Sequence, residues 1–196
     1  MMQQTALAQD RNWLASSSRR FALLIGATAF VALCAHISVP LGFTPVPITL
    51  QPFAVLLLGL LLTPRDSFTA MAVYLLEGAA GMPVFSPHGL GGIAQLFGPT
   101  GGYLLAAPFA AAIVGRLYRA GKQRAWAAFA GAAVGDVILL AIGALWLEVL
   151  THTSFSTLLN VSVVPFLASD AAKVIAAAAC ALIFRSFSTR SSQAQN

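Results

Sequence analysis

Asp170 and Lys173 stand three residues apart in VPFLASDAAKVIAAAACALIF (164–184), a run long and apolar enough to span a bilayer. In a helix this spacing puts both side chains on one face, so the carboxylate and the ammonium point the same way. Ionisable groups within a membrane segment are expensive and are kept mainly where they face a cavity, a ligand or each other. A pair that only neutralises itself as helix glue is the plainer reading. Function is the default for intramembrane charge, and on that ground the pair is read as the wall of a binding site. An ammonium can hold a carboxylate, and an ionised Asp accepts hydrogen bonds from N–H donors. The ligand implied is small and mostly apolar, with an acidic end and a polar N–H group.

Other groups bear on the same chemistry. Gln51 and Tyr103 open apolar runs, while Glu77 and Glu148 close them. Phe43, Phe85 and Tyr103 are candidates to pack the ligand's apolar body. Glu148 is read as reaching the outer headgroup region, and Glu77 can do the same. Asp136 lies mid-run after Gly135; either it couples protons or it only bonds a neighbouring helix. His36, His88 and His152 come from separate segments without ligand-like spacing, so no metal site is expected. Cys34 and Cys180 read as small buried hydrophobes.

Enzyme readings find little support. There is no GxSxG elbow, HExxH or paired-Cys motif, and no GxxxxGK[ST] phosphate loop. GAAVGD around Asp136 is similar to the GxGD of intramembrane aspartyl proteases, but Ala133 stands for the first Gly and no second motif accompanies it. No catalytic residue and no cofactor are assigned.

The elements that must position these groups follow from composition. Of 196 residues, 58% are hydrophobic and only 9% charged, where a soluble domain carries about 25% charged. The chain reads as an all-α membrane protein whose partner is the lipid bilayer, not nucleic acid. Apolar runs at 21–39, 50–62, 67–80, 100–116, 125–150 and 164–184 predict six transmembrane helices. The second and third are shorter than the ~20 residues of an ordinary span. They are either short helices shielded by neighbours or a re-entrant hairpin; two true spans are favoured, because Arg65 and Asp66 between them want water. The connection PLGFTPVPIT, with three prolines, is expected to be extended. The Gly- and Pro-rich stretch 83–99 is expected to be a lid or binding loop, and 151–163 a plain link.

The net charge of +5 is a topology signal. Arg11, Arg19, Arg20, Arg65, Arg116, Arg119, Lys122, Arg124, Arg185 and Arg190 all fall on one side of a six-helix arrangement, the cytoplasm by the positive-inside rule. Loops 40–49, 81–99 and 151–163 carry no Lys or Arg and face outside. Lys173 alone lies within the membrane. The expected organisation is a cytoplasmic N-terminal segment at 1–20, a transmembrane substrate-binding domain at 21–184 and a mobile cytoplasmic tail at 185–196.

GFTPVPITLQPFAVLLLGLLLTPRD, the GMPVF loop, LFGPTGGYLLAAPFAA and the final SDAAK together resemble the BioY family, biotin-specific substrate-binding (S) components of energy-coupling factor transporters. The resemblance covers about residues 20–185. It implies an S-component-like six-helix bundle in the bacterial cytoplasmic membrane, with both termini cytoplasmic and a high-affinity biotin pocket near the outer face. It also implies a transmembrane coupling protein and two ATPase subunits as partners. By motif, Asp170 and Lys173 contact biotin's polar groups and Tyr103 lines the pocket. Gln51, Phe43 and Phe85 lie in matching motifs; which polar end of biotin meets Lys173 stays open. Glu77 stands where the family's YLL-x-G stretch is expected to be apolar. Ala22 and Gly26 resemble the small-xxx-small docking motif of the first helix, with Gly in place of a second Ala. The alternative is a stand-alone oligomeric biotin transporter driven by an ion gradient, with Asp136 as its proton carrier.

Overall fold

The computed structural model describes the backbone of residues 2–193 and the side chains of 18–154 and 156–187. The side chains of Arg11 and Arg190 lie outside the described residues. Helix α1 runs Met2–His36, so the polar stretch expected as a separate N-terminal segment is continuous with the first span. A hairpin of β1 (Ser38–Val39) and β2 (Ile48–Thr49) follows, antiparallel with Ser38 opposite Thr49. It is the extended connection that three prolines require.

Helix α2 (Gln51–Leu61) starts with Pro52 in its first turn, where a missing N–H leaves no helix bond unmade. It stops before Thr63 and Pro64. Thr63 then caps α3 (Pro64–Ala79): its hydroxyl oxygen accepts the Asp66 N–H at 3.1 Å and its hydroxyl donates to the Asp66 carboxylate at 2.7 Å. Asp66 also pairs with Arg20 of α1 at 2.8 Å. The turn between α2 and α3 is thus hydrophilic and fixed, as Arg65 and Asp66 required.

Helices α4 (Gly92–Phe97), α5 (Gly101–Ala120), α6 (Ala125–Thr151), α7 (Phe155–Ser162) and α8 (Leu167–Gln193) complete the chain. Four helical stretches are long and apolar enough to cross a membrane: Ser18–His36, Gly101–Ala120, Ala125–Thr151 and Leu167–Phe187. Helix α2 has 11 residues, about 16 Å of rise against a hydrocarbon core of ~30 Å. It survives because neighbours surround it. Ala54, Val55, Leu56, Leu58 and Leu60 are buried, and α2 packs against α1, α5, α6 and α8. It approaches α5 closely: a Cβ on Gly59 would lie 2.7 Å from the Ala111 carbonyl oxygen, and one on Gly115 would lie 2.8 Å from that of Gly59. Small residues let the two backbones nearly touch.

Three sequence expectations are corrected. The link at 151–163 contains α7, because FSTLLNVS presents Leu158 to a buried cluster with Leu147 and Phe166. The lid at 83–99 is not loop throughout, since its second half winds into α4 around the buried Gln95. The last helix does not end at Phe184 but continues to Gln193. At that end of the bundle Arg185 donates to the Tyr118 hydroxyl at 3.3 Å and the Gln123 carbonyl at 3.0 Å.

Candidate ligand cavity

The SDAAK turn builds its own polar cluster. Phe166 ends the turn before α8, and its carbonyl accepts the Asp170 N–H at 2.8 Å and the Ser169 hydroxyl at 2.9 Å. One helical turn on, the Lys173 ammonium donates to Asp170 Oδ1 at 2.7 Å and reaches Ser169 Oγ at 3.4 Å. Both charged side chains are more than nine-tenths buried. Isolated, either charge would be strongly destabilising there; paired, they form a neutral group with donor and acceptor capacity to spare.

This pair lines a cavity of about 70 Å³ at the end of the bundle where α2 and α5 begin. Gln51, Pro52 and Val55 of α2 form one wall, and Tyr103, Leu104 and Ala107 of α5 another. The third is the α6 face Asp136, Leu139 and Leu140, three and four residues apart as one helix face requires. Val46, Pro47 and Thr49 of the hairpin, Ser86, Gln95, Thr100 and Phe166 complete the lining. Most of the lining is apolar, with a few convergent polar groups, the usual composition of a small-molecule site.

Tyr103 is held from two sides. Its hydroxyl donates to the Ser162 carbonyl at 2.9 Å, tying α5 to the end of α7. Its ring lies over Gly143 of α6, where any Cβ would collide with it. Gln95 holds the mouth: its side-chain oxygen accepts the Gly91 N–H at 3.0 Å and its amide reaches Thr100 Oγ1 at 3.4 Å.

Of the expected site residues, the fold brings together Asp170, Lys173, Tyr103 and Gln51. It does not bring Phe43 or Phe85 to the cavity. Phe43, at the tip of the hairpin, is 63% exposed. Phe85 is buried instead against α3: Gly78 leaves room for its ring, which meets Tyr74 edge-on at 5.4 Å. Tyr74 in turn donates to the Val84 carbonyl at 2.9 Å, so this aromatic pair anchors the 83–99 loop on α3. The aromatic groups in the lining are Tyr103 and Phe166.

Glu77 and Glu148 do not line the cavity. Glu77 accepts the Thr28 hydroxyl at 3.2 Å and so ties α3 to α1, a role that accounts for a carboxylate where an apolar residue was expected. Asp136 does line it, within electrostatic reach of both Asp170 and Lys173. Ser86 and Gln95, buried in the mouth, were missed in the sequence because nothing in a Gly- and Pro-rich stretch tells which polar side chain turns inward. Ala22 and Gly26 lie on the exposed face of α1, and a Cβ on Gly26 would meet nothing within 4 Å.

A profile of the BioY family matches residues 3–190. The biotin transporter BioY2 of Lactococcus lactis subsp. cremoris is 38% identical over 153 residues, 78% of this chain and 82% of that one. The biotin transporter BioY of Thermotoga maritima is 39% identical over 155 residues, 79% of this chain and 89% of that one. Among solved structures, the S-component for biotin from an ECF-type ABC transporter superposes with a TM-score of 0.80 at 26% identity, covering 88% of this chain and 93% of its own.

Proposed function

The chain belongs to the BioY family, and on that premise we propose that it captures biotin and carries it across the membrane as the substrate-binding component of an energy-coupling factor transporter. The observation that supports this reading most is the buried Asp170–Lys173 pair in the wall of a cavity whose surface is mostly apolar. Biotin is an apolar bicycle with a ureido group at one end and a carboxylate on a flexible tail. A carboxylate would have to compete with Asp170 for Lys173. A urea competes with neither, because it accepts from the ammonium through its carbonyl while donating an N–H to the carboxylate. The pair therefore receives the ureido head. The apolar faces of Val55, Leu104, Leu139 and Phe166 flank the bicycle. The tail runs toward the mouth, where Thr49, Gln51, Ser86 and Thr100 supply neutral donors.

The membrane arrangement belongs to the same proposal. Helices α1, α2, α3, α5, α6 and α8 make six spans, with the arginine-rich end in the cytoplasm and the cavity toward the outside. The bacterial cytoplasmic membrane is the location. A transmembrane coupling protein and two ATPase subunits are the partners, the first docking on the open α1 face around Ala22 and Gly26. A stand-alone ion-driven transporter is not favoured, since the solved relative is a component of an ATP-binding cassette transporter.

Calorimetric titration of the purified chain with biotin tests the reading. Saturable one-site binding supports it. A folded chain that ignores biotin would remove the ligand assignment.

A further inference from the structure

Asp136 is the cavity's unexplained carboxyl group. It sits mid-way along α6, only 8% exposed, and its Oδ1 has no hydrogen-bond partner among the described residues. None of the other cavity-lining side chains supplies one. Val55 of α2 and Ala107 of α5 carry no side-chain donor, and the Lys173 ammonium of α8 is committed to Asp170 at 2.7 Å. Buried polar atoms are nearly always satisfied, and a carboxylate oxygen left unmet is destabilising. The Asp136 side chain lines the cavity while its Oδ1 is shut off and unmet, so a donor on a ligand held in the cavity would satisfy it.

Resting on the biotin reading above, we propose that Asp136 is a ligand-contacting residue that accepts the second ureido N–H, opposite the one taken by Asp170. A cyclic urea has two N–H donors flanking one carbonyl acceptor. The ionisable side chains of the cavity are two carboxyl groups, each with an oxygen that can accept, and one ammonium that donates, the same inventory with the roles reversed. Asp136 and Asp170 come from different helices, α6 and α8, so they can approach the ring from two sides while Lys173 meets the carbonyl between them. This arrangement makes the site selective for rings with both nitrogens unsubstituted, since a methyl on either removes a donor and meets a carboxylate instead.

The test uses the full chain in detergent, titrated calorimetrically with biotin and with its two mono-N-methyl ureido regioisomers. Both regioisomers are expected to bind at least tenfold more weakly than biotin. Asp136→Leu should weaken biotin at least tenfold and should shrink the methylation penalty for one regioisomer while leaving it intact for the other. Asp136→Asn, whose amide oxygen still accepts, should retain more biotin affinity than Asp136→Leu. The wild-type comparison needs no variant to fold: if either regioisomer binds as tightly as biotin, the second carboxylate contact does not exist. Equal methylation penalties in wild type and Asp136→Leu would overturn the proposal as well. A wild type that binds biotin while Asp136→Leu binds it unchanged sinks this inference alone; a wild type that binds no biotin sinks the substrate reading and this inference together.

Discussion

Asp170 and Lys173 meet at 2.7 Å across one turn of the last helix, both side chains shut away from the surface. The contact is internal to one helix, so the fold itself fixes the pair's geometry and little ordering is left to be done on binding. A neutral ligand group with its own donor and acceptor can join the pair without separating it, whereas an anion cannot.

Removing the ammonium should therefore do two things. Lys173→Ala deletes a charge-assisted hydrogen bond to the ligand, an effect of about 1.5–3 kcal/mol, and is expected to weaken biotin binding at least tenfold. It also leaves Asp170 buried without its partner, so the unfolding temperature in detergent should fall. Titration calorimetry reads the first effect and a thermal melt the second. Unaltered affinity in a folded Lys173→Ala protein would take the lysine out of the site.

Tyr103 should matter through its anchoring as much as through its surface. Tyr103→Phe keeps the ring but gives up the bond to the Ser162 carbonyl, a loss of about 0.5–1.5 kcal/mol. The expected result is a melt lowered by a few degrees and an affinity reduced less than in Lys173→Ala. Gly143→Ala approaches the same ring from α6, where the new methyl has no room. It is expected to displace Tyr103 and weaken binding more than Tyr103→Phe does. If Gly143→Ala binds like the unaltered chain, the ring is not held where the structure has it.

Much of this site was legible in the sequence because charge in an apolar helix has few innocent explanations. The isolation of Lys173 and its spacing from Asp170 pointed to the pair, and Tyr103 and Gln51 followed from their places at helix starts. What failed were the loop aromatics. Phe43 and Phe85 occupy similar Pro- and Gly-rich surroundings, and only three-dimensional packing separates one exposed at a hairpin tip from one seated over Gly78. Asp136 was read as mid-helix, either coupling protons or bonding a neighbouring helix; its membership of the cavity depends on how α6 rotates against α5 and α8, which periodicity does not fix. The short helices α4 and α7 were missed for another reason. At 6 and 8 residues they are too brief for a hydrophobic period to register.

Gln95 should control how long the ligand stays. It is 2% exposed, and it joins the backbone at Gly91 to Thr100 at the head of α5. Gln95→Leu fills similar space but leaves the Gly91 N–H without its acceptor, loosening the 83–99 loop. Interface changes act mostly on dissociation, so release of labelled biotin is expected to speed up severalfold with association little changed. A slower association with unchanged release would mean that Gln95 shapes entry rather than closure.

The open face of α1 separates capture from transport. Ala22 and Gly26 are exposed, Gly26 has no atom of this chain within reach of a Cβ, and both lie away from the cavity-lining residues. A larger side chain there meets nothing within the chain, so Gly26→Leu is expected to fold normally and to bind biotin with wild-type affinity in detergent. Small residues at such spacing allow two helices to approach closely, and a Leu would hold a coupling protein's helix away. Co-purification with the coupling protein and ATP-dependent uptake should both fall sharply, while binding to the isolated chain stays intact. Normal co-purification of Gly26→Leu would move the docking surface to another face of the bundle; lost binding in the isolated variant would show that α1 shapes the cavity itself.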